Sequence, residues 1–151
     1  MKIYAILLFM MLAAAALNGQ AAPEGAPASN RLLIVVAKAK DLDADHYLWA
    51  AEVAAGRLPG DNNQVLEGGL AAAIKEAREK PGTVRGIIEI VVNVYSWDED
   101  VRMTCYDPTG RQLWKKKSSV NAGGSEEELA RKLFERTLQK AEKMPPCGRG
   151  S

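Results

Sequence analysis

The sequence predicts an α+β domain in the order β-α-α-β-β-β-α, an antiparallel three-stranded meander joined by an N-terminal strand, with helices packed on the sheet. Three observations predict it. The run Ile87-Ile88-Glu89-Ile90-Val91-Val92-Asn93-Val94-Tyr95 is dense in β-branched residues, which suit a pleated, half-buried surface. Asp107-Pro108-Thr109-Gly110 carries Asp, Pro and Gly where a type I turn favours them, so the chain should reverse there. Ser125-Glu126-Glu127-Glu128 is a capping box ahead of an apolar stripe at helical spacing.

Taken in order, Lys2, the apolar run Ile3–Leu17 and the small residues Gly19 and Ala21 read as a secretory signal peptide over residues 1–21, cleaved before Ala22. The apolar run is short for a membrane span, so no span is expected after cleavage; the alternative is an uncleaved anchor. No Cys follows the run, which argues against lipoprotein processing. Ala22–Asn30, rich in Pro, Ala and Gly, is a flexible lead-in. A single domain is expected over residues 31–144. Leu32–Ala37 is almost continuously apolar and suits a strand buried on both faces. A helix is predicted over Ala44–Ala55, capped by Asp41 or Asp43, with Gly56 as its stop. A second is predicted over Gln64–Lys80, with Leu66, Leu70, Ala73, Ile74 and Ala77 on one side. Gly68-Gly69 weakens its start, and Pro81-Gly82 ends it.

In the meander, Ile88, Ile90, Val92 and Val94 share one face by the strand period of two. Val101–Tyr106 alternates apolar and polar residues. The return strand, Arg111–Val120, carries Lys115-Lys116-Lys117, the usual guard of an open edge, and is placed at the sheet margin. Lys116 should face opposite to Lys115 and Lys117. The last helix should run from Ser125 to about Lys143 and bury Leu129, Leu133, Phe134, Leu138 and Ala141. Met144-Pro145-Pro146 cannot continue it.

Lys and Arg number 20 against 19 Asp and Glu, a formal charge of +1. Loss of Lys2 with the leader leaves the chain near neutral, which fits neither nucleic-acid binding nor adhesion to anionic membranes. Cys105 and Cys147 read as one disulfide that tethers the tail, residues 145–151, across the sheet; two free thiols are the alternative. Closing a loop of about forty residues is worth about 4 kcal/mol. The absence of a C-x-x-C pair argues against disulfide exchange.

Asp41, Asp43, Asp45 and Glu52 fall at positions one, three, five and twelve of a calcium loop, making calcium the one candidate cofactor. Its sixth position, which needs Gly for a sharp turn, holds His46. The competing reading is a capped helix with a solvated acidic start. His46 is the sole histidine, so zinc would need further ligands and any nucleophilic mechanism would have to use it. No nucleophile elbow accompanies it. Asn121–Ser125 ahead of a helix could cradle a phosphate, but three glutamates would repel the anion. Trp97 and Trp114, with Tyr95 and Tyr106, could face a partner or cover the sheet. Trp114, Lys115 and Lys117 are the candidate partner-binding residues.

The early apolar strand, the helices, the hairpin Asp107-Pro108-Thr109-Gly110-Arg111-Gln112-Leu113-Trp114 and the amphipathic last helix together resemble small α/β domains of bacterial envelope proteins. These are the curli-secretion, penicillin-binding-protein-activator and Tol N-terminal types. The resemblance implies a non-catalytic assembly or regulatory module. It assigns no functional residues, and the lipobox cysteine of many such proteins is missing here. The leader, the lack of a catalytic constellation and the exposed strand Arg111–Val120 make a periplasmic or secreted domain that binds another envelope protein the leading expectation. The alternatives are a calcium-stabilised extracytoplasmic domain and a small secreted hydrolase using His46.

Overall fold

Side chains that alternate along one central strand sort the molecule into layers. The computed structural model describes residues 30–37, 47–94, 99–120 and 124–148. The leader and the lead-in before Asn30 lie outside the described residues. The elements are β1 (Leu32–Val36), α1 (Leu48–Arg57), β2 (Gln64–Val65), α2 (Gly69–Glu79), β3 (Gly86–Asn93), β4 (Glu99–Tyr106), β5 (Gln112–Val120) and α3 (Glu126–Glu142). One five-stranded sheet has the order β2-β1-β3-β4-β5. β1 pairs in parallel with β2 and β3, and β3, β4 and β5 form the antiparallel meander.

β3 divides its residues as the period of two requires. Ile88, Ile90 and Val92, followed by Val94 just past the strand end, enter the larger core with Leu32, Ile34, Val36, Val101, Met103 and Cys105. α1 and α3 cover that face through Ala50, Ala51, Ala54, Leu133, Phe134 and Leu138. Ile87 turns the other way, into a smaller core with Leu33, Val35, Ala73 and Ala77 under α2. β1, apolar on both sides, is buried at all five residues. The sheet has two margins among the described residues, the two-residue β2 at one end and β5, where the lysines are, at the other.

The turn at Asp107 is held by its own side chain. Oδ1 accepts from the Thr109 amide at 2.9 Å, the Thr109 hydroxyl at 2.6 Å and the Arg111 amide at 3.0 Å. Gly110 takes φ 95°, where a side chain would be strained, and the β4–β5 register shifts between Cys105 and Tyr106 as a bulge does. On α3, Ser125 Oγ accepts from the Glu128 amide at 3.4 Å, the first half of a capping box.

Three helix boundaries differ from expectation: α1 begins at Leu48 and not at Ala44, it ends later, and α2 begins later. Gln64 and Val65 form a short strand beside β1 instead of a helix start. The cause is Gly68-Gly69, both at positive φ (102° and 75°), a backbone that a right-handed helix interior does not take, so α2 can begin only there, with Gly68 as its cap and Gly69 as its first residue. Leu66 therefore precedes α2, although it still packs in the smaller core. α1 runs through Gly56 to Arg57 instead of stopping at Ala55. Arg57 is clamped by two glutamates of α3, and Leu58 donates back to Ala54 O at 2.9 Å, which holds the last turn closed. The cap position of α1 belongs to Tyr47, which makes no side-chain cap bond; Asp41 and Asp43 lie outside the described residues.

The loop after α1 is fastened to β1 by one side chain. Asn63 donates to Leu58 O at 2.9 Å and Ala55 O at 3.1 Å, and accepts from the Leu32 amide at 3.1 Å.

Candidate functional site

Cys105 projects from β4 into the larger core, and the chain after α3 returns to meet it. The two sulfurs are bonded, with Cα atoms 5.7 Å apart and both residues buried. Two glycines let the tail come this close. A Cβ at Gly86 would lie 2.8 Å from Cys147 Sγ. Gly148 has φ 84°, and a Cβ there would overlap the Arg85 carbonyl oxygen. Trp114 sits opposite Cys105 in the β4–β5 register, and its indole N–H donates to Pro145 O at 3.2 Å. Trp114 therefore covers the tail and the disulfide side of the sheet.

Lys115 and Lys117 lie on the opposite face and are exposed, while Lys116 is half-buried on the α3 side. The three candidate partner-binding residues are thus split, Trp114 on one face and Lys115 and Lys117 on the other. α2 covers β1 and β3 there and reaches the Asp107 turn, where Arg78 donates to Thr109 O at 3.3 Å. On that face Tyr106 donates its hydroxyl to Glu89 at 3.0 Å. Burial first, and the Glu89 carboxylate second, push the Tyr106 phenol above its usual range. Asp100 is buried, with Arg102 Nε at 2.9 Å, Lys117 Nζ at 3.9 Å and the Asn93 amide donating at 3.2 Å.

α3 has two flanks with different charge arrangements. Toward α1 its charges are paired. Glu127 meets Arg131 at 3.1 Å, and Arg131 lies 4.7 Å from the centre of a Trp49 ring. Glu135 and Glu142 hold Arg57 at 2.7 and 2.9 Å. The hydrogen bond from Arg57 keeps the Glu135 carboxyl below its usual range. Toward β5, the sequence puts Glu128, Lys132, Arg136 and Lys140 one turn apart on a single line. Lys140 Nζ donates to the Lys117 carbonyl at 2.8 Å. Among the described residues Lys115, Lys116, Lys132 and Arg136 take part in no ion pair. Glu128, Lys132 and Arg136 rim a shallow cleft of about 120 Å³ floored by Val120, Leu129 and Leu133. This flank was readable as a four-residue spacing, but its neighbour across the helix, β5, was not.

The other expected sites fall elsewhere. Asp41, Asp43, Asp45 and His46 lie outside the described residues, as do Tyr95 and Trp97. Glu52 is exposed on α1. Among the described residues no group of three His, Cys, Asp or Glu is placed to hold a metal ion. Among them, too, no helix is long and apolar enough to cross a membrane.

No family model matches the chain, and no curated protein matches it. Among solved structures it is similar to two PelC dodecamers from Paraburkholderia phytofirmans. One is 17% identical, covering 79% of this chain and 94% of that one, with a TM-score of 0.49. The other, a variant, is 14% identical, covering 74% and 86%, also at 0.49. The lipoprotein GNA1162 from Neisseria meningitidis is 14% identical over 77% of this chain and 99% of its own, at a TM-score of 0.37. At these scores the likeness stops at a general similarity of chain course.

Proposed function

We propose that this chain is an exported α+β module of the bacterial cell envelope that works by binding another envelope protein and not by catalysis. The observation that carries the reading is the buried Cys105–Cys147 bond, which ties the tail to the middle of the meander. Such bonds form and persist in oxidising compartments, and the leader-like residues 1–21 agree with export. The open margin at β5 supports a binding role, because an unpaired strand edge is a ready surface for another chain.

Two measurements test this reading. Intact mass of exported material should show cleavage before Ala22, and alkylation of the cysteines only after reduction. Affinity capture from envelope extracts, with the mature disulfide-bonded chain as bait, should retain a specific partner that a Lys115→Glu/Lys117→Glu variant retains poorly. Free thiols in exported material, or no specific partner, would overturn the proposal.

A further inference from the structure

We infer that the β5 edge is a docking site for an extended acidic segment of a partner protein, which joins the sheet as a sixth strand between Lys116, Lys132, Arg136 and Lys140 on one side and Lys115 and Lys117 on the other. This rests on the reading of the chain as a binding module and names the chemistry of what it binds.

The first support is the backbone. β5 ends the sheet order, so half of its peptide groups face away from β4 without a strand partner. At Lys117 the carbonyl takes the Lys140 ammonium instead, at 2.8 Å. A side chain here occupies a place where the N–H of another strand could bond.

The second support is charge. Edge protection needs only a lysine or two on the strand itself. Here the helix behind the edge adds Lys132, Arg136 and Lys140, while Glu135 and Glu142 of α3 are engaged with Arg57 on the far flank; Glu128, at the head of the line, and Asp100, beside Lys117, offset only part of the positive charge. The result is a cationic strip that remains in an otherwise balanced chain. A second copy is a poor occupant, since pairing two such edges would oppose lysine to lysine. An acidic strand fits both sides at once, because its alternate side chains point to opposite faces of the sheet. The cations also point off both faces of the edge, whereas a membrane surface would engage one plane. The apolar floor of Val120, Leu129 and Leu133 gives an aliphatic residue of the same segment a place to rest.

The test uses the mature, disulfide-bonded chain and a blocked octapeptide of alternating Glu and Val. The same peptide with Lys for Glu, and vesicles of phosphatidylglycerol, are the comparison arms. Amide shifts on titration should saturate and map to β5 and to α3 around Lys132–Lys140, and hydrogen exchange at the outward amides of β5 should slow. Lys132→Glu/Arg136→Glu, with an unchanged melting curve, should weaken binding at least tenfold. Lys75→Glu on α2 should leave it within twofold. The inference is overturned by unprotected β5 amides, by equal binding of the Lys peptide, by indifference to the charge reversal, or by vesicles binding in place of the peptide. An extract partner retained equally by the reversal variant would sink this inference and leave the envelope-binding reading standing. Peptide binding at β5 with no partner in any extract would do the reverse.

Discussion

Reduction of Cys105–Cys147 frees a tail that is otherwise packed beneath Trp114 and against Arg85 and Gly86. The bond joins residues 42 positions apart. In the chain-entropy treatment, opening a loop of that length restores freedom to the unfolded chain worth about 4 kcal/mol. For a domain of this size, at roughly 3–5 °C per kcal/mol, the melting point should fall by about 12–20 °C. Thermal unfolding by circular dichroism with and without a phosphine reductant measures it. The urea slope should also rise on reduction, because the cross-linked unfolded chain exposes less surface. Cys147→Ala separates the covalent effect from packing, since it breaks the link and leaves Cys105 filling its place in the core. It should melt close to the reduced wild type. Oxidised and reduced melts within about 3 °C of each other would refute the argument that the tail bond holds the meander.

Three further outcomes follow from the geometry. Gly148→Ala combines a left-handed backbone with overlap on the Arg85 carbonyl, and should cost about 2–3 kcal/mol in urea unfolding; a wild-type midpoint would show that the tail does not dock there. Asn63→Ala removes three hydrogen bonds, one from the Leu32 amide of β1 and two to the Ala55 and Leu58 carbonyls at the end of α1, and should cost about 2–3 kcal/mol while speeding amide exchange at Leu32. Asp107→Ala should cost about 2 kcal/mol at neutral pH. Burial alone would raise the Asp107 carboxyl, but the Thr109 hydroxyl and the Arg111 and Thr109 amides outweigh it and hold it low. A depressed acid contributes stability above its unfolded value, about pH 4, and loses it as pH falls through the lower folded value. The gap between wild type and Asp107→Ala should therefore narrow in acid, and a gap of constant size would contradict this account.

What could be read from the sequence was what neighbours along the chain decide. Asp107 bonds to residues two and four positions on, so its turn was legible, as was the Ser125 cap. β1 and β3 announced themselves through β-branched runs, and the lysines of β5 placed it at the margin. Contacts between distant segments left no local mark. Two residues, Gln64 and Val65, are too few to show strand periodicity, so β2 was absorbed into the following helix. The engagement of Trp114 with Pro145 depends on where a tail 31 residues later returns. Gly86, at the start of β3, and Gly148 carry no local signal in the sequence; the close approach of Cys147 and Arg85 gives each its reason. The Arg57 clamp, which extends α1 past Gly56, joins segments 78 and 85 residues apart.

The sulfur bond also makes a covalent ring of the last three elements, β4 from Cys105 onward, β5 and α3, and leaves β1 through β3 outside it. A protease that nicks the exposed Thr109 bend would therefore release no fragment. The cut chain would gain one water and travel as a single species until a thiol separates its halves. In an oxidising compartment, a break within this ring leaves the protein whole.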